Sequence, residues 1–189
     1  MPPILTDADW ELLYAPYDPA TYQLALNELS AGDVIIDIGA GDMRFARMAA
    51  NHVRKIYAVE QSPEIFSSAF AQHLPANVEA ICCDAREWEF PADVTTGILL
   101  MRHCQHFRLY AEKLLKCGAK KLITNARWGM SVESVSLTQS RVLFEQLPIG
   151  WYACWCGATG FKPGPVELLT ADLEGNTFEV CECPDCVPM

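Results

Sequence analysis

Short apolar runs alternate with segments of helical spacing along the chain, a pattern typical of α/β proteins. Residues 34–38 are β-branched and almost wholly apolar, which predicts a strand covered on both faces. Residues 44–51 contain good helix formers and predict the helix that follows. Similar apolar runs predict further strands that begin near residues 55, 78, 97 and 121. The pattern therefore predicts a mostly parallel sheet with helices on both faces.

The turn between the first predicted strand and helix carries the clearest chemical signal. Asp37 stands two positions before Gly39, and Gly41 follows after one residue. Glycine tolerates a positive φ and lets a ligand approach the main chain, and N–H groups at a helix start can bind that ligand. A dinucleotide-binding G-x-G-x-x-G turn would need Gly or Ala at position 44, where the chain has Arg44. The turn therefore predicts a nucleotide-cofactor site of another kind.

Two further predicted strands also end in acids. Glu60 lies about twenty residues beyond the glycines, where such folds place a carboxylate on ribose hydroxyls. Asp84 follows the third predicted strand. A carboxylate accepts two hydrogen bonds from vicinal hydroxyls, so Glu60 is the predicted ribose ligand. The alternative is that both acids only cap the helices that follow them.

The acid and glycine pattern resembles motif I of class I S-adenosylmethionine-dependent methyltransferases, commonly acid-x-G-x-G-x-G. The third glycine of that motif is Met43 here, which makes the helix start bulkier. The resemblance implies a Rossmann-like, doubly wound, mostly parallel seven-strand sheet with an antiparallel terminal strand. It also implies that Asp84 meets the adenine amino group and that the N–H of Ala85 meets a ring nitrogen. The implied cofactor-binding residues are Asp37, Gly39, Ala40, Gly41, Glu60, Gln61, Asp84, Ala85 and Met101.

The segment before the first strand adds a finer resemblance. Pro16, Tyr17, Asp18 and Pro19 precede a predicted helix that ends before Gly32. This arrangement resembles the entry of small members related to the non-SET protein-lysine branch, in which the loop folds over the methionine end of the cofactor. Tyr17 is the residue expected there. The alternative is a hydrophobic lid on the sheet edge.

Basic and imidazole side chains follow the fourth and fifth predicted strands. Ligands of open α/β sheets bind outside the carboxyl ends of the strands, so these residues are expected near the substrate mouth: Arg102, His103, His106 and Arg127. His103 is the catalytic candidate, as a base or hydrogen-bond acceptor for the methyl acceptor. The alternatives are a capping histidine and a metal pair of His103 and His106 on one helix face. The Asp/Asn-Pro-Pro-Tyr motif of nucleic-acid amino-methyltransferases is absent from the fourth strand end, which disfavours nucleobase amines.

Five of the nine cysteines fall in residues 151–189. Their spacing suggests a metal before a disulfide, and Cys154, Cys156, Cys183 and Cys186 could form a tetrahedral zinc site. The alternative is that these are reduced thiols in the core or at the surface. Two predicted strands in this segment could supply the antiparallel final pair of the sheet.

Composition and charge narrow the class of protein. The chain has 189 residues, 51% of them hydrophobic, and is predicted to be one domain with a lid and helix (1–32), a cofactor-binding core (33–150) and a terminal strand pair (151–189). The net charge of -10 is concentrated at the two ends, so a nucleic-acid partner is disfavoured. No signal peptide or membrane span is indicated, and we predict a cytoplasmic protein. The sequence does not specify the oligomeric state.

The sequence therefore predicts an S-adenosylmethionine-dependent methyltransferase whose acceptor is a protein or a small molecule. The alternative is a catalytically inactive cofactor-binding or interaction module of the same fold, because no catalytic motif is recognisable at the fourth strand.

Overall fold

The computed structural model describes residues 6, 9, 16–70, 72–128, 131–168, 170 and 176–186. The helices are α1 (Pro19–Asn27), α2 (Arg44–Ala49), α3 (Pro63–Phe70) and α4 (Phe107–Cys117), with short 3-10 turns at Phe144–Gln146 and Val166–Leu168. The strands are β1 (Val34–Ile38), β2 (Lys55–Glu60), β3 (Val78–Cys82), β4 (Thr96–Leu99), β5 (Lys121–Thr124), β6 (Glu133–Ser136), β7 (Gly150–Cys154), β8 (Thr159–Lys162) and β9 (Thr177–Val180). Within the predicted lid and helix (1–32), most of residues 1–15 lie outside the described residues.

The chain forms two compact units, residues 1–105 with 109–138, and residues 106–108 with 139–189. The first unit holds a six-stranded sheet in the order β3-β2-β1-β4-β5-β6. All neighbouring strands are parallel except β5 and β6, which are antiparallel. The strand order reverses between β1 and β4, and open α/β sheets bind ligands at such a point. The Rossmann-like, mostly parallel fold with an antiparallel terminal strand is thereby confirmed.

Burial explains why β1 is central. All five of its residues are buried between β2 and β4, and its Ile35 side chain joins a core with residues of α1 and α2. Gly97 on β4 lets α4 approach closely, because a Cβ at this position would lie 2.3 Å from Cδ1 of Leu114. Among the described helices none is long and apolar enough to cross a membrane.

The second unit has a three-stranded sheet of its own in the order β8-β7-β9. The prediction that the last strands complete the central sheet is therefore wrong, and β6 provides the antiparallel strand instead. The central sheet has six strands in the described part of the chain, against the seven predicted. The second unit also has a small separate core, formed by Leu147, Tyr152, Cys154, Val180 and Cys183. That the chain is one domain stays a prediction.

Candidate cofactor site

The turn after β1 has the left-handed backbone that its glycines suggest. Gly39 has φ of 74° and Gly41 has φ of 55°, both in the left-handed region. The N–H groups of Gly39 and Ala40 each donate to the Val59 carbonyl over 2.9 Å, which fastens the turn to β2. The turn is therefore held at the carboxyl ends of two neighbouring strands.

Met43 also has a left-handed backbone, with φ of 62°, immediately before α2. This conformation costs a residue with a Cβ about 1–2 kcal/mol. The Met43 side chain is completely buried in the core of the first unit. Burial of the side chain compensates for the strain, so the turn keeps its shape without the third glycine of the motif.

Glu60 at the end of β2 is bonded to the main chain on both sides. Its Oε2 accepts from the Gly41 N–H over 2.9 Å, and its Oε1 accepts from the Ser62 N–H over 2.8 Å. The side chain is buried, with 7% of its surface exposed. Each carboxylate oxygen can accept a further hydrogen bond, so Glu60 can bind hydroxyls while it holds the glycine turn. Gln61, the next predicted residue, is exposed.

Asp37 is a buried acid on β1, just before the glycine turn. Burial raises the pKa of its carboxyl to about 7, and the charge of Glu60 adds to the shift. Its Oδ2 has no hydrogen-bond partner among the residues that the structure describes. A buried polar atom without a partner is costly unless a ligand or water satisfies it. This atom fits a polar ligand at the turn.

Asp84 and Ala85 follow β3 by two and three residues. The Asp84 carboxylate accepts from the main-chain N–H of Arg86 over 2.8 Å and from its guanidinium Nη2 over 2.6 Å. Ala85 is buried. An adenine amino group would share the Asp84 carboxylate with Arg86, and the adenine contact of Asp84 and Ala85 stays a prediction.

The loop before α1 reaches the carboxyl end of β4. The Tyr17 hydroxyl accepts from the Arg102 N–H over 3.1 Å, and the Arg102 guanidinium lies 4.7 Å from the centre of the Tyr17 ring. Met101 packs over the glycine turn, because its Cε would be 3.0 Å from a Cβ on Gly39. Tyr17 and Met101 thus lie at the same edge of the sheet as the turn.

His103 and His106 lie in turns between β4 and α4, which begins at Phe107. The expectation that they share one helix face is wrong, since neither is helical. His103 is exposed. Among the described residues, the only group of three or more side chains placed to hold a metal contains neither histidine. The catalytic role of His103 stays a prediction.

Arg127 is a buried residue after β5 and forms a bidentate ion pair with Glu133 on β6. Its Nε donates to Oε1 over 2.8 Å, and its Nη2 donates to Oε2 over 2.6 Å. Its guanidinium is therefore committed to Glu133, whereas the sequence suggested a role at the substrate mouth.

Asn125 was missed by the sequence analysis. It follows β5 directly and is 1% exposed, and neither atom of its amide has a partner among the described residues. The available signal was a pair of polar residues, Thr124 and Asn125, at the end of an apolar strand.

In the second unit, the structure brings together the four cysteines that the sequence selected. Their sulfur atoms all lie within 4.8 Å of one another.

The chain is similar to known proteins in part of its sequence and in its fold. Residues 35–122 match the sequence profile of a family described as "Methyltransferase domain". The precorrin 8w decarboxylase of Methanobacterium thermoautotrophicum is similar in structure, with a TM-score of 0.50 and 21% identity over 59% of this chain and 64% of that one.

Two other solved structures resemble the chain at lower scores. The 23S rRNA methyltransferase ErmE gives a TM-score of 0.49 and 16% identity, over 57% of this chain and 46% of that one. TYW2 of M. jannaschii, in complex with AdoMet, gives a TM-score of 0.46 and 16% identity, over 57% of this chain and 52% of that one. In all three cases less than two thirds of the neighbour is covered. No curated protein matches the sequence significantly. Residues 35–122 therefore carry the sequence pattern of a methyltransferase domain, and the structural similarity supports the Rossmann-like fold.

Proposed function

We propose that the protein is an S-adenosylmethionine-dependent methyltransferase. The observation that carries the proposal is the Glu60 carboxylate, which is buried and held by the Gly41 N–H at the end of β2. A carboxylate fixed in this way is already oriented for ribose hydroxyls, so binding does not require it to lose further freedom. When bound, S-adenosylmethionine supplies a methyl group on a positively charged sulfur.

The residues around the turn have distinct proposed roles. Gly39, Ala40 and Gly41 offer main-chain groups to the cofactor, and Asp37 offers the buried Oδ2 that has no partner among the described residues. Asp84 and Ala85 are proposed for adenine. Gln61 and Met101 are proposed to complete the cofactor-binding set.

The methyl acceptor is proposed to be a protein or a small molecule. The strong negative charge at both ends of the chain supports an acceptor that is not a polyanion. Tyr17, Arg102 and His103 lie at the carboxyl end of β4 and are proposed to face the acceptor, with His103 as base or hydrogen-bond acceptor. Methyl transfer depends mainly on alignment of the two reacting atoms, so the base is expected to contribute less than positioning. The finer likeness to the non-SET protein-lysine branch supports a lysine acceptor.

The same site also supports a second candidate, a module that binds the cofactor without turnover. No catalytic motif is recognisable at the end of β4, and Arg127, which was expected at the substrate mouth, is paired with Glu133. Binding without methyl transfer to any component of a cell extract would select this candidate. For both candidates we propose the cytoplasm, where a reducing environment keeps cysteines as thiols.

Titration calorimetry of the purified chain with S-adenosylmethionine and S-adenosylhomocysteine tests cofactor use. We expect saturable binding of both with one site per chain. No heat and no thermal stabilisation at sub-millimolar ligand would exclude both candidates. A screen of a cell extract with labelled methyl donor then separates them and identifies the acceptor.

A further inference from the structure

Four of the five cysteines of the second unit have sulfur separations close to those of a tetrahedral metal site. Cys154 Sγ lies 3.6 Å from Cys186 Sγ, Cys156 Sγ lies 3.7 Å from Cys183 Sγ, and Cys183 Sγ lies 3.9 Å from Cys186 Sγ. Zn–S bonds of about 2.3 Å place two sulfurs of a regular tetrahedron about 3.8 Å apart. The sulfurs are also too far apart for a disulfide, in which they would be about 2 Å apart.

Two turns bring these cysteines together. Cys154 is the last residue of β7, and the turn from β7 to β8 is closed by the Gly157 N–H, which donates to the Cys154 carbonyl over 2.9 Å. In this turn the Ala158 N–H points at Cys156 Sγ over 3.5 Å. Such N–H groups stabilise a sulfur that carries negative charge. The first turn is therefore shaped around its sulfurs.

The second turn follows β9 and repeats the arrangement. The Cys186 N–H donates to the Cys183 carbonyl over 3.0 Å, and the Cys183 N–H donates to Cys186 Sγ over 3.3 Å. Because β7 and β9 are parallel neighbours, with Cys154 level with Val180, both turns lie at the same end of this sheet. The two turns together supply four cysteine sulfurs, enough to complete a tetrahedral metal site.

A fifth cysteine lies nearby in the sequence but is not part of the group of four. Cys181 stands between β9 and the second turn, but its sulfur is directed to the Val142 carbonyl, 3.4 Å away. Cys181 is as close in sequence to Cys183 as Cys154 is to Cys156, but the fold directs its sulfur away from the other four.

We propose that the second unit binds one structural zinc ion through four thiolates, those of Cys154, Cys156, Cys183 and Cys186. On binding, the thiols lose their protons to solvent and four Zn–S bonds form. Four protein ligands leave no open coordination position, so the ion has no hydrolytic role. The ion joins the end of β7 to the segment after β9, in a unit whose own core has few residues. Small units of this kind commonly need a metal or a disulfide for stability.

Metal analysis of the full chain, purified without chelator, tests the proposal directly. We expect about one zinc ion per chain. A zinc content far below one ion per chain would overturn the proposal. This holds both if the site contains iron and if it contains no metal. A cobalt-exchanged sample provides a second test, since four thiolates give intense sulfur-to-cobalt absorption together with the visible bands of a tetrahedral ion. A cobalt spectrum typical of oxygen or nitrogen ligands would also contradict it.

The matched variants are Cys183→Ser and Cys181→Ser. We expect Cys183→Ser to lose most of its zinc and Cys181→Ser to retain the wild-type content. Loss of zinc in both would contradict the assigned ligand set. The wild-type metal content and cobalt spectrum decide the matter even where Cys183→Ser does not fold. None of these measurements depends on methyl-transfer activity.

Discussion

Asp37 should make the stability of the protein depend on pH in an unusual direction. Most acids that form favourable contacts have a lowered pKa on folding, but burial raises the pKa of Asp37 to about 7. The folded protein therefore keeps this proton up to about pH 7, while the unfolded chain releases it near pH 4, the ordinary value of about 4 for Asp. Raising the pH through this window favours the unfolded state.

The size of the effect follows from linkage. Each pH unit between the two pKa values costs about 1.4 kcal/mol, so the free energy of unfolding should fall by about 2–3 kcal/mol from pH 5 to pH 8 through this one group. Asp37→Asn has the same shape and no charge. The stability of Asp37→Asn relative to the wild type should therefore rise by about 2–3 kcal/mol from pH 5 to pH 8. For a chain of this size this corresponds to roughly 5–10 °C in Tm.

The assay is urea unfolding of both proteins in the same buffers at pH 5, 6, 7 and 8, without added ligand. Subtraction of the two curves removes the pH dependence of the groups that do not interact with Asp37. Glu89→Gln is the control, because Glu89 is exposed and pairs only weakly with Lys116 at the surface. A difference between wild type and Asp37→Asn that stays constant from pH 5 to 8 would refute the reasoning, since Asp37 would then ionise as readily in the folded protein as in the unfolded chain.

Two substitutions test the packing of the first unit by thermal or urea unfolding. Met43→Gly removes the strain of a left-handed backbone, which stabilises the protein by about 1–2 kcal/mol, but also removes a buried side chain, which destabilises it by about 2–5 kcal/mol. We therefore expect a net loss of about 1–3 kcal/mol in the free energy of unfolding. An increase in stability would show that the strain is the larger effect. Gly97→Ala places a methyl group 2.3 Å from Leu114 Cδ1 and should cost about 1–3 kcal/mol, and no change would mean that α4 yields without cost. Gly32→Ala is the control for Gly97, since an added Cβ there meets no atom within 4 Å.

The parts of the fold that depend on neighbouring sequence could be predicted. β1, its glycine turn and the acid that ends β2 follow one another in a fixed order, and each has a composition that local sterics explain. The position of Glu60 beside Gly41 follows because β1 and β2 are parallel neighbours. The four cysteines that the sequence selected lie together because both pairs are at the same end of the parallel neighbours β7 and β9. That they bind a metal stays a prediction.

The parts that depend on long-range pairing could not be predicted. The run at 133–136 has two serines and a glutamate, so its composition does not mark it as the sixth strand, and only pairing with β5 identifies it. That pairing sets Thr124 opposite Glu133, which explains why Arg127 reaches this acid. The sequence could show that β7 and β9 are strands, but nothing local specifies to which sheet they belong.

The most direct test of the cofactor site is the dissociation constant of S-adenosylhomocysteine for the wild type and for Glu60→Ala, measured by calorimetry. Loss of the carboxylate should weaken binding by about 1–3 kcal/mol, roughly 5- to 150-fold, because the proposed contact with the ribose hydroxyls would lose a charged acceptor in a buried position. Glu89→Ala, at an exposed position, should bind as the wild type does, and circular dichroism must show that both variants are folded. A folded Glu60→Ala protein with the wild-type dissociation constant would contradict the account of the site.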